Sequence, residues 1–221
     1  LNGLKNGFQV CAHAIGDRAN KEILDRYELA FNEIPEEAKN HRFRIEHAQH
    51  LHPNDIPRFA ELQVIPAMQA IHLSSDRPWA IDRLGEKRIK NGAYMWQALL
   101  KSGIPIVNGT DVPVEPLNPI ASFYASVSRK TLKGLPEGGY EPEQKMTREQ
   151  ALKSYTLDAA FGAFEENIKG SISIGKLADF TIYNQDLMTV VENEILNTEI
   201  VKMSGNSFST YSFLNSRIFF D

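Results

Sequence analysis

Val10-Cys11-Ala12-His13-Ala14, Arg44-Ile45-Glu46-His47-Ala48 and Val107-Asn108-Gly109-Thr110-Asp111 are the three stretches whose reading decides the fold. Each is a short, mostly apolar run that closes on a histidine or an aspartate and then passes into loop residues. They are too short for helices and read as strands, with a helix-length interval between the first two. In a parallel α/β barrel the C-terminal ends of successive strands converge on one mouth, so groups remote in sequence meet there. Two imidazoles and one carboxylate are donors suited to zinc and its divalent neighbours. The three strand ends therefore imply a divalent-metal site.

Outward from these segments the chain alternates strand, loop and helix for about its first 130 residues. Phe8 to Ala12 is stopped by Gly16, and Asp17 is the expected cap of a helix carrying Ile23, Leu24, Tyr27, Ala30 and Phe31 at helical spacing. Phe43 to Glu46 gives the second strand, and Asn54 is the expected cap of a short helix after it. Gln63 to Met68 gives the third strand, where Pro66 costs a ladder bond and belongs near an end or a bulge. Ser74, Ser75, Asp76, Arg77 and Pro78 read as a long loop. Gly92 to Ser102 reads as a helix closed by Gly103. Ile104 to Asn108 is the fourth strand, and Asn118-Pro119 opens another helix with proline at its first position. Strands near 8–12, 43–47, 63–68 and 104–109 are thus expected as parallel neighbours in that order.

After Arg129 the composition shifts. Gly134, Pro136, Gly138, Gly139 and Pro142 suggest a flexible, exposed linker, and Thr147-Arg148-Glu149-Gln150 is a capping box that opens a helix through Tyr155. Ser171 to Lys176 and Asp179 to Asn184 read as short strands around a glycine turn, and Ile200 to Met203 followed by Ser204-Gly205-Asn206 as a further hairpin, together a small β unit. The expected division is 1–165 for half of a barrel with its C-terminal helices, and 166–221 for part of a small β-sandwich.

Composition narrows the function classes. In 221 residues, 42% are hydrophobic and 24% charged, ordinary proportions for a globular protein, and the net charge of −4 leaves no basic footprint for nucleic acid. No apolar run approaches the ~20 residues of a membrane span. The single cysteine, Cys11, excludes an internal disulfide framework and fits a reducing compartment, so the expected location is cytoplasmic. Nucleophile-elbow, phosphate-loop and dinucleotide signatures are all absent.

His13, His47 and Asp111 are the expected metal ligands. Glu46 points away from His47 because side chains alternate along a strand, whereas Cys11 shares the face of His13 and reads as a buried, inert thiol. Asp76, Arg77, Trp79 and Arg83 are typical substrate-clamp types. His50 and His52 read as solvated loop residues, and His41 and His72 as structural or surface residues.

His13-Ala14-Ile15-Gly16-Asp17-Arg18-Ala19, Ile45-Glu46-His47-Ala48-Gln49, Gly109-Thr110-Asp111-Val112-Pro113-Val114, Pro78 to Gly85 and Gly170 to Phe180 together resemble the amidohydrolase superfamily. The similarity is greatest to its amidohydrolase 3 branch, which holds YtcJ-like proteins and N-substituted formamide deformylase, and it covers nearly the whole chain. The resemblance implies an α/β chain forming the C-terminal half, strands five to eight, of a metal-dependent (β/α)8 barrel. It also implies part of a small β-sandwich and a hydrolase acting on carbon–nitrogen, amide-type bonds of a small molecule. It assigns His13, His47 and Asp111 to the metal centre, which takes one or two divalent ions, most simply zinc. Asp111 serves as proton acceptor and then donor, and His47 as a ligand or a partner of the substrate carbonyl. The family's His-x-His pair and bridging lysine have no counterpart in this sequence, so the missing barrel half or a second copy is the expected partner. Deaminases of the superfamily carry a glutamate where this chain has Gly16, which favours amide-type hydrolysis. The alternative is a domain of the same fold that has lost its metal.

Overall fold

Short runs that mix apolar and small residues with the histidines and charged groups of β1 and β2 make the parallel strands, and amphipathic runs between them make the helices, in a computed structural model that describes residues 1–205 and 208–212. In chain order these are α1 (Asn2–Lys5), β1 (Cys11–Ala14), α2 (Asp17–Glu33), β2 (Arg44–His47), α3 (Ile56–Glu61) and β3 (Ile65–Met68). There follow α4 (Ile71–Leu84), α5 (Glu86–Gly92), α6 (Trp96–Ser102), β4 (Val107–Asn108) and α7 (Pro119–Ser128). The remainder is α8 (Arg148–Tyr155), α9 (Leu157–Gly162), β5 (Phe180–Tyr183), β6 (Ile200–Gly205) and β7 (Phe208–Ser212). Strands β1 to β4 lie side by side in sequence order, all parallel, and β5 to β7 form a separate antiparallel sheet.

The core lies between the parallel sheet and its helices. Leu24, Tyr27, Ala30 and Phe31 of α2 are buried, with Phe31 stacked on His41 at 4.0 Å and edge-on to Phe43 at 5.5 Å. Leu99, Trp96, Phe123 and Tyr124 continue this layer from α6 and α7. The left-handed φ of +97° at Gly103 ends α6 where a side chain would be strained. Asn118 caps α7 through the Ile120 N–H, and Thr147 and Gln150 form the capping box of α8. Among the described residues no helix is long and apolar enough to cross a membrane.

At the N-terminal ends of the strands, Arg42 donates to both carboxylate oxygens of Glu166 at 2.9 and 2.7 Å and to the Phe161 carbonyl. Its guanidinium lies 3.9 Å from the Phe161 ring centre and 4.4 Å from that of Phe164. Gln9 donates to the Arg42 and Gly162 carbonyls. The turn after α9 is thus bolted across the bottom of the sheet.

Several expectations are corrected. Ser74 to Pro78 are not a loop but the middle of α4, with Pro78 inside the helix. Leu73, Ala80, Ile81 and Leu84 fall at helical spacing on one buried or half-buried side, and that burial outweighs the cost of proline. Gly16, not Asp17, occupies the cap position of α2. His52, not Asn54, accepts the capping bond of a 3₁₀ turn at Pro53–Asp55. The helix expected over 92–102 begins only at Trp96, because Gly92 and Tyr94 bond to Leu51 and Gln49 instead. Pro66 lies within β3, opposite Ile45.

The stretch after Arg129 is tied down. Arg129 is fully buried, stacked on Trp96, and donates to the Tyr94 and Tyr140 carbonyls and to Glu141. A Cβ on Gly139 would sit 2.1 Å from the Ser128 carbonyl oxygen, so only glycine fits there. Ser171 to Lys176 form no strand, since Ile172 and Ile174 are exposed and Lys176 N–H closes a turn on Ser173. The strand expected at 179–184 and the hairpin expected after Ile200 are present, while Asn206 itself lies outside the described residues.

Candidate metal centre

His47 ends β2 with φ +75°, and Ala48 follows at φ +44°. The strict alternation of the strand stops there. The two left-handed residues bring the His47 ring edge-on to His13 at 4.5 Å and against His72 at 5.6 Å. Glu46, one residue earlier, stays on the regular strand face opposite His13 and pairs with Arg44 at 2.9 Å. Asp111 also has positive φ, +60°, and its carbonyl accepts the N–H of Val114 to close the next turn.

One ligand atom each from His47, His72 and Asp111 lies within 4.8 Å of the others. His72 enters from the first turn of α4, whose N–H groups at Ala70 and Ile71 are held by Asn108 Oδ1 and Ser122 Oγ at 3.1 and 3.2 Å. Tyr155 in turn donates to Ser122, and Asn108 to Ser154, so α7 and α8 fix where α4 begins. Tyr94 Oη donates to the His72 carbonyl at 3.3 Å and accepts from Gln49. His72 Nε2 stands 3.7 Å from Asp111 Oδ2, too far for a hydrogen bond, and is buried with no other partner. Burial lowers the His72 pKa, keeping its ring neutral.

These residues fit a divalent cation. The buried Nε2 of His72 lacks the partner that such an atom ordinarily has. Two imidazoles and a carboxylate are a common zinc donor set.

The group thus keeps His47 and Asp111 of the expected trio together and places His72 beside them. His13 is exposed and packs beside His47 rather than within the group. His72, expected to be structural or on the surface, is inside it. The signal that it belongs to a buried helix was the spacing of Leu73, Ala80, Ile81 and Leu84.

The clamp residues separate. Arg77 is buried, donates to Glu141 at 2.7 Å and lies over the Tyr140 ring, so its charge is already committed. Asp76 accepts from Gln49 Nε2 at 3.1 Å. Trp79 and Arg83 are exposed on α4. Cys11 is exposed rather than buried, and desolvation raises its thiol pKa, with Arg44 opposing, so it remains an unactivated thiol. His50, expected in solvent, is buried against Tyr94 with Nδ1 unpartnered, and burial pushes its pKa down to about 4 against the pull of Asp76 and Asp17.

The amidohydrolase family model Amidohydro_3 matches residues 4–204. The chain belongs to this family. The chain is 39% identical over 178 residues to Protein LONG AFTER FAR-RED 3 of Arabidopsis thaliana, an alignment covering 80% of the chain and 30% of that relative. It is 32% identical over 207 residues to the Bacillus subtilis (strain 168) protein YtcJ, named as an amidohydrolase, covering 94% of the chain and 38% of the relative. It is also similar to the crystal structure of an uncharacterized metal-dependent hydrolase from Pyrococcus horikoshii OT3. That match has a TM-score of 0.71 at 30% identity, over 84% of the chain and 36% of the solved one. The chain thus spans 30 to 38% of the length of these relatives.

Proposed function

We propose that this amidohydrolase chain carries one side of the active centre of a metal-dependent hydrolase of carbon–nitrogen, amide-type bonds in a small molecule. Residues 1–165 correspond in this reading to strands five to eight of a (β/α)8 barrel, and residues 166–221 to part of a small β-sandwich. The remaining strands and the other ligands come in this reading from the missing barrel half or from a second copy, and the protein works in the cytoplasm. The supporting observation is the convergence of His47, His72 and Asp111, from two strand ends and one helix start, around a buried nitrogen that has no partner.

His47, His72 and Asp111 would hold the cation, zinc by the chemistry of the donors, with His13 at its edge. Such an ion supplies Lewis acidity, making water acidic near neutral pH and polarising a carbonyl. Asp111, still one-third exposed at its side chain, is the group open to substrate. Its carboxylate takes the proton of the attacking water and returns it to the departing amine. Gly16 stands where deaminases of the superfamily carry a glutamate, which supports amide-type cleavage over deamination.

Metal analysis of the full-length protein tests this reading. Wild-type protein should retain zinc through gel filtration and lose amide hydrolysis on chelation, and His72→Ala should weaken zinc binding at least tenfold. A wild-type protein that takes up no zinc on titration, or a His72→Ala variant binding it as wild type does, would reject it.

A further inference from the structure

We infer that Gln69 sets the tautomer of His47, holding the proton on Nδ1 and leaving Nε2 as the nitrogen open to a cation. Gln69 lies just past β3, the parallel neighbour of β2, in a register that pairs Glu46 with Ala67. Its Oε1 is 2.7 Å from His47 Nδ1, and its Nε2 donates to the Ala67 carbonyl at 3.2 Å. The second contact decides the first. The Ala67 carbonyl has no hydrogen to give, so reversing the amide would set two acceptor oxygens against each other. The amide nitrogen therefore faces Ala67, and its oxygen faces the ring. An acceptor 2.7 Å from Nδ1 requires a proton on that nitrogen, and in a neutral ring this frees Nε2.

The residue after Gln69 is fixed as well, because Asn108 Oδ1 accepts the Ala70 N–H at 3.1 Å. Gln69 is thus a positioning residue that acts through His47. Its consequence for metal binding rests on the functional reading above, whereas the tautomer itself does not. Losing such an outer partner typically weakens metal affinity about 10- to 100-fold.

Long-range proton–nitrogen NMR of metal-free, full-length protein labelled with ¹⁵N-histidine, in mildly alkaline buffer, reads the tautomer directly. His47→Asn identifies the resonances. Wild-type His47 should be in the Nδ1–H form. Gln69→Leu should move it toward Nε2–H and weaken zinc binding about 10- to 100-fold. A wild-type His47 protonated on Nε2, or a Gln69→Leu variant still holding Nδ1–H, overturns the assignment. If the tautomers follow this pattern while no variant binds zinc, the Gln69 assignment is upheld and the metal-hydrolase reading is rejected.

Discussion

The two ends of the parallel sheet are built to opposite rules. At the N-terminal ends Arg42 is saturated, with both Glu166 oxygens, a carbonyl and two aromatic faces around it. At the C-terminal ends, buried nitrogens of His50 and His72 have no partner. The bottom spends its polar groups on holding the fold together. The mouth leaves them unfilled, which natural structures sustain chiefly where something is bound or transformed. The same division is general to barrels, in which chemistry lies at the C-terminal face and stability at the N-terminal one.

Substitutions at the two ends should therefore separate activity from stability. If the proposed function holds, Asp111→Asn should lower amide hydrolysis about 10²–10⁴-fold in steady-state assays of the full-length protein, by removing the proposed proton acceptor. Asparagine tolerates the φ of +60° there, so thermal stability should stay close to wild type. A variant that keeps its turnover would break the comparison.

His50 should make the mouth acid-sensitive. Its pKa falls from 6.5 to about 4 on burial, so below pH 6.5 the unfolded chain takes up a proton that the native ring refuses. Stability is full above that pH and drains away as pH falls toward about 4, by up to about 3 kcal/mol. Urea unfolding at several pH values should show this loss, and His50→Phe, which keeps a ring against Tyr94, should flatten it.

Arg42→Ala should cost about 2 kcal/mol of stability, from lost charge-assisted bonds and ring stacking, with little effect on KM. The Arg42 guanidinium holds the Glu166 carboxyl down at about 2 from 4.5, so the wild type gains from this pair above pH 4.5 and loses it toward about pH 2. The variant should lack that acid limb. An activity loss without a stability loss would show that the bottom of the sheet is not the inert end described here.

Much of this contrast is visible in the sequence, and the part that is not has definite causes. The four strands, their order and their direction follow from short apolar runs spaced by helices, and the caps at Asn118 and Thr147 follow from side-chain chemistry. His72 does not, because Ser74-Ser75-Asp76-Arg77-Pro78 has loop composition, and only tertiary burial of Leu73 and Ala80 makes it helical. The bearing of His47 is hidden too. Alternation fixes the face of Glu46 but ends at the first residue with positive φ, and nothing in Ile45-Glu46-His47-Ala48 announces that break. Arg77 looks like a clamp until Glu141 arrives from 64 residues away.

Arg129 also bears on how the protein ages. A tryptic protease must draw an arginine side chain into an acidic pocket before it can cut after it. The guanidinium of Arg129 is shut between Trp96, two carbonyls and Glu141, so the bond to Lys130 becomes cleavable only after that loop has come apart. The bond that opens this glycine- and proline-rich stretch is thereby among the last tryptic sites to be cut, whereas the exposed Lys133 a few residues on has no such protection.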